Sequence, residues 1–196
     1  MKDGTRLERA FGAVKSFLDG KGIFETHELV TIGLFAAGSR AATLMIALVG
    51  GGMNPVTIVI RSAVHAALLV VLLCKVPKTG ALTLFNVLGA VLAFFLMGQG
   101  MLTIPAMLVG TLLTELAFRA AGGLERRPGL VLPMVAASEL MVRFANLGVS
   151  WLAVREQPGL MVFVTAITAF SYLGILIGLP CGWRMARELR HAGLIR

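Results

Sequence analysis

The chain has 196 residues, 57% of them apolar and only 14% charged, with a mean hydropathy of +0.86. A soluble domain of this length cannot bury that much apolar surface, so the surplus is expected to face lipid. The net charge of +8 would suggest nucleic acid in a soluble protein, but here the cations flank apolar stretches and imply no nucleic-acid partner.

Taken in chain order, residues 1–26 carry charges of both signs and lack an apolar signal-peptide core, so no cleaved leader is expected. Leu7, Phe11, Val14, Phe17 and Leu18 stand at helical spacing, with Arg6, Arg9 and Lys15 on other faces. That pattern suits a cytoplasmic amphipathic segment on the membrane surface, the alternative being a solvated tail. A first apolar span covers His27 to Val49 and ends in three glycines; a second starts at Asn54-Pro55, proline suiting a first helical turn, and ends near Cys74. The third runs from Gly80 to Met97, the fourth from Met101 to Ala121, the fifth from Leu130 to Val154 and the sixth from Leu160 to Leu179. Pro180-Cys181-Gly182 is expected to interrupt the last one before a basic tail, residues 181–196. Cys74 and Cys181 fall at the expected cytoplasmic helix ends, giving no support to a disulfide or a metal site.

The fold class expected is therefore an all-α membrane protein with six transmembrane helices over residues 27–180. Fourteen of the eighteen Lys and Arg residues fall on one side of those spans and only Arg155 on the other. Basic residues stay cytoplasmic during insertion, which places both termini inside. Arg40, Arg61 and Arg143 remain within the apolar segments.

Each such ion near the bilayer centre costs roughly 3 kcal/mol on insertion scales and needs a partner or a watery cavity, which makes these residues the best site candidates. Arg61 and His65 are four apart, as are Glu139 and Arg143, so each pair shares a helix face. Asn54, Arg61, Gln99, Arg143 and Asn146 are expected in the outer half of the membrane, Glu139 near its middle and Glu115 in its inner half. The outer group, with His65 and Glu139, outlines a candidate pocket in which arginines grip a carboxylate or phosphate. The competing reading pairs Glu139 with Arg143, and Glu115 with Arg40, only to neutralise buried charge; for Arg61 and His65 no partner carboxylate is evident. Gly33, Ala37 and Ala41, small residues four apart, would let another helix approach closely, within the fold or from a partner.

No nucleophile elbow, zinc motif or phosphate-cradling loop is present. No enzymatic activity, cofactor or metal is expected, and any energy for transport must come from a partner or an ion gradient. A self-sufficient secondary carrier or channel is the main alternative, for which inverted repeats and paired broken helices would be expected. An intramembrane enzyme using Glu115, Glu139 or His65 is a lesser one.

The segments HELVTIGLFAA, KVPKTGALTLFNVLGAVLAFFLMGQGM and GILIGLPCGWRMARELRHAGLIR together resemble the Trep_Strep, or MptD-like, family. Its members are regarded as substrate-binding S components of energy-coupling-factor (ECF) transporters. The resemblance implies an S-component-like bundle of six helices in the inner membrane with a substrate pocket near the outer face. It implies as partners a membrane coupling protein, the T component, and two cytoplasmic ATPases. In S components the first helix carries an alanine-rich stripe that meets the coupling protein, and Ala37 and Ala41 match that pattern, with Arg40 between them as a departure. The link from Arg155 to Gly159 is short where the family often has a longer segment. A small anionic micronutrient is the substrate these arginines favour; His65 and the ten methionines leave haem or a metal chelate as a minor option.

Overall fold

The computed structural model describes residues 24–51, 54–97, 103–120, 128–154 and 158–193. They form six α-helices: α1 (Thr26–Gly50), α2 (Pro55–Lys75), α3 (Ala81–Met97), α4 (Thr103–Ala120), α5 (Val131–Val154) and α6 (Pro158–His191), with a short 3-10 turn at Pro128–Leu130 before α5. No strand occurs among the described residues. The amphipathic segment expected at residues 1–26 lies almost wholly outside them. Residues up to Val30 form one compact unit and Thr31–Arg196 a second. Of the first, the described part is the opening of α1, where the Glu28 carboxylate accepts a hydrogen bond from the Glu25 amide at 2.8 Å. That contact satisfies one of the amide donors a helix start leaves without an intrahelical partner.

α1, α2, α5 and α6 are each long and apolar enough to cross a membrane. α3, with 17 residues, and α4, with 18, stand at the short end of the roughly 17–25 residues that cross a hydrocarbon core and are not among those four. Length and composition thus carry four of the six expected crossings. The outer faces are apolar: Val49 is 90% exposed and Phe95 78%. Side chains of that kind turned outwards along whole helices mark a surface made for lipid.

Local chemistry sets the helix ends. α1 stops where Gly51 takes φ +74°, the left-handed conformation that glycine adopts without strain. The Thr57 hydroxyl on α2 then donates to the Gly50 carbonyl at 2.9 Å. Asn54 caps α2, its Oδ1 accepting from the Val56 amide at 3.1 Å, and Pro55 supplies a preset φ at the first position. At the start of α3 the Glu115 carboxylate, reaching over from α4, accepts from the Gly80 amide and the Thr83 hydroxyl. An anion there complements the positive end of the helix dipole.

The tightest packing joins α2 to α6. Gly174, Gly178 and Gly182, four apart on α6, lie against Val59, Ala63 and Ala67, four apart on α2. A Cβ added at Gly174 would sit 2.3 Å from the Val59 carbonyl oxygen, and one at Gly178 2.3 Å from that of Ala63. Only bare glycine permits this backbone approach, the small-residue packing that membrane helices use where the hydrophobic effect no longer drives association. Gly110 plays the same part between α4 and α5, where its Cβ would lie 3.0 Å from the Val142 amide nitrogen.

One expectation fails here. α6 does not break at Pro180 but runs unbroken to His191, so Arg184, Arg187 and Arg190 extend the same helix that carries the last apolar span. Proline removes the hydrogen bond to the Leu176 carbonyl, yet the packing of Gly178 and Gly182 on α2 brackets it and holds the helical path through the gap.

Candidate functional site

Within the second unit a cavity of about 170 Å³ is lined by residues from all six helices. α2 brings Arg61, Ser62 and His65 from one face, and α5 brings Glu139, Val142, Arg143 and Asn146 from another, as spacings of three and four residues dictate. α1 adds Arg40 and Thr43, while Asn86, Met107 and Ser171 come singly from α3, α4 and α6. Arg40 can enter because Gly89 on α3 is bare: a Cβ there would lie 3.1 Å from the guanidinium Nε.

A polar chain runs along one wall. The Ser39 hydroxyl and His65 Nδ1 are 2.9 Å apart, His65 Nε2 is 3.4 Å from Glu139 Oε1, and Glu139 Oε2 is 3.5 Å from a terminal nitrogen of Arg143. Glu139, only 4% exposed, thus serves two helices at once, and both contacts are looser than the 2.7–2.9 Å of a tight charge-assisted bond. Across the cavity, Ser62 and Ser171 share a hydrogen bond of 2.6 Å at the border of the α2–α6 seam.

Some cavity groups are unsatisfied. Neither Arg40 nor Arg61 has a carboxylate within ion-pairing distance among the described residues. The Asn86 amide nitrogen, the Arg143 Nε and the Asn146 Oδ1 are buried without a hydrogen-bond partner. Buried polar groups are normally satisfied, and the exceptions call for an explanation. Arg40 lies within electrostatic reach of Glu139 and, more weakly, of Arg61, and Arg61 within reach of Arg143, so the guanidiniums converge rather than scatter. The cavity holds three arginines against one carboxylate.

The structure therefore brings together Arg61, His65, Glu139, Arg143 and Asn146. Asn54 is not with them: it is exposed and its side chain is used in capping α2, which the Asn-Pro pair itself signals. Gln99 lies outside the described residues. Glu115 does not pair with Arg40 but caps α3. His65, for which the sequence offered no carboxylate, has Glu139. Arg40 is recognisable in the sequence as an intramembrane cation, but the pairing with Glu115 that the competing reading offered it does not form. Ser62 and Ser171, 109 positions apart, left no signal. The stripe on α1 faces away from that helix's buried side: Gly33 is half-buried, and Ala37 and Ala41 are exposed. Both cysteines are free, Cys74 buried and Cys181 exposed.

A family model described as a hypothetical bacterial integral membrane protein (Trep_Strep) matches residues 26–153. No curated protein and no solved structure matches the chain. The matched stretch runs from the first residue of α1 almost to the end of α5 and contains every residue of the cavity except Ser171. The chain belongs to the Trep_Strep family of bacterial integral membrane proteins and is a multi-pass membrane protein.

Proposed function

We propose that this protein is the substrate-binding membrane subunit, or S component, of an ECF-type importer in the inner membrane. It captures a small anionic micronutrient outside and releases it inside when a coupling protein and two ATPases act. The observation that carries the reading is a cation-rich cavity in an apolar-faced helical body, with three arginines against one carboxylate and the Asn86 amide nitrogen and Arg143 Nε buried without a hydrogen-bond partner. Ions kept in such a place at a cost of roughly 3 kcal/mol each are kept for a ligand. The volume of about 170 Å³ lies well below the roughly 300–1,000 Å³ of pockets that enclose drug-sized molecules, which favours a small solute over a porphyrin.

Dependence on other subunits draws its support from α1. Gly33, Gly38, Ala37 and Ala41 put small residues on the exposed side of the helix, and a Cβ at Gly33 or Gly38 would meet nothing within 4 Å among the described residues. That suits a helix from a coupling protein laid against it. Arg40 turns away from the stripe into the cavity, while Leu34, 71% exposed, stands on the same face as the small residues. In this topology α3 and α4 complete six crossings, both termini are cytoplasmic, and the body topples within the membrane to pass its substrate inward. The chain itself is a binding subunit, without enzymatic activity.

Affinity purification from the native host should recover a coupling protein and two ATPases with this chain. The isolated protein in liposomes should bind substrate without moving it, and Arg61→Ala should lower ligand retention without unfolding the protein. Uptake by the chain alone would overturn the reading and favour a secondary carrier.

A further inference from the structure

We infer that the cavity is made for a small dianion, with Arg40 and Arg61 as the two cations that receive it and Glu139 as a resident counter-ion for the rest. This rests on reading the cavity as the substrate site.

The charges divide into two sets. Arg143 and His65 share the Glu139 carboxylate, at 3.5 Å and 3.4 Å, and Ser39 fixes the far side of the imidazole at 2.9 Å. That set is internally balanced, one guanidinium against one carboxylate. Arg40 and Arg61 come from different helices and have no carboxylate within ion-pairing distance among the described residues; the field of Glu139 reaches Arg40 too, but one carboxylate against three arginines leaves the cavity with two unbalanced positive charges. An ion sunk in a low-dielectric body must be neutralised by what sits beside it. A monoanion would leave one guanidinium unmatched, whereas a dianion removes the surplus. Asn86, 3% exposed and lining the same cavity with its amide nitrogen unpartnered, offers a neutral donor to the same guest. Two guanidinium forks and an amide are the donors that oxyanions with several acceptor atoms accept in pairs. The limited volume restricts the guest to a compact head, either a tetrahedral oxyanion or a short dicarboxylate.

The test uses the isolated full-length chain in mild detergent at fixed ionic strength, with no coupling protein added. Isothermal titration and the shift in melting midpoint are measured for sulfate and succinate as dianions and for nitrate and acetate as monoanions. A ligand that binds only the folded chain raises the melting midpoint by linkage. Sulfate or succinate should bind at least about tenfold more tightly than either monoanion. Whichever of the two prevails distinguishes a tetrahedral oxyanion from a dicarboxylate. Arg40→Gln and Arg61→Gln should each remove that preference. Arg40→Lys, which keeps the charge and loses the fork, should weaken binding but retain the preference, and it covers the case in which a glutamine variant fails to fold. Arg119→Gln, outside the cavity, should change nothing. Equal binding of monoanions and dianions would overturn the inference, as would a preference that survives removal of Arg40 or Arg61, or no anion binding by a chain that melts normally. Failure to recover ATPases would sink the importer reading and leave this one standing. Absence of any dianion preference in the unsubstituted chain would do the reverse.

Discussion

The α2–α6 seam and the cavity beside it draw on the same two helices, barely a turn apart, and meet opposite demands. On the seam Gly174, Gly178 and Gly182 carry no side chain, so the backbone of α2 comes close enough that a methyl group would collide with Val59, Ala63 or Ala67. In the cavity Arg61 and His65 project from α2 into space that five other helices leave open. Ser62 and Ser171, bonded to one another at 2.6 Å, stand at the border. In lipid, where apolar contact gives helices little reason to associate, close glycine packing supplies the rigidity and lets neighbouring positions carry charge. The seam should therefore govern folding, and the cavity binding.

Substitutions at four positions bear on that division. The largest effect is expected at the seam: Gly178→Leu should abolish the folded state, read as loss of a monodisperse peak and of a cooperative melt in detergent, while Gly178→Ala should cost about 1–3 kcal/mol. A leucine variant that melts normally would mean that the two helices are not held at this spacing. Next comes Glu139→Gln, which leaves His65 and Arg143 without their shared counter-ion and should destabilise the protein by about 3 kcal/mol. An unchanged melting midpoint would show the cavity to be hydrated enough that its ions need no resident partner. Glu115→Gln should lose about 1–2 kcal/mol through weaker capping of α3, with the ligand affinity unaltered. A fall in affinity would tie α3's start to the site. Gly38→Ala should be the mildest, within about 0.5 kcal/mol in the isolated chain, since nothing lies within 4 Å of its Cβ. If that small change disrupted co-purification with the ATPases, the bare face of α1 would be the docking surface.

Much of this architecture could be read from the residues. The first five apolar segments match α1 to α5 within two residues at either end, because an apolar run bounded by glycine, proline or charge is a local pattern. The sixth was misjudged at its end for an equally physical reason. Proline in Pro180-Cys181-Gly182 is a helix breaker by local rules, and only its placement between two glycines packed on α2 makes the continuation to His191 worthwhile. Gly174, Gly178 and Gly182 stand in the sequence at the same four-residue spacing as the stripe on α1, yet they pack on α2, whereas a Cβ at Gly33 would meet nothing within 4 Å among the described residues.

By itself the sequence determined that the chain lives in a membrane, where its helices lie and which buried polar side chains need an explanation. Those conclusions follow from hydropathy and the 3.6-residue period, both of which act over a few turns. Only the tertiary structure decided how the charges are shared. Glu115 went to the start of α3 rather than to Arg40, Glu139 reached His65 as well as its helix neighbour Arg143, and Arg40 and Arg61 were left facing a cavity. Ion pairs form over a few ångströms between helices far apart in the chain, and no local periodicity encodes those distances.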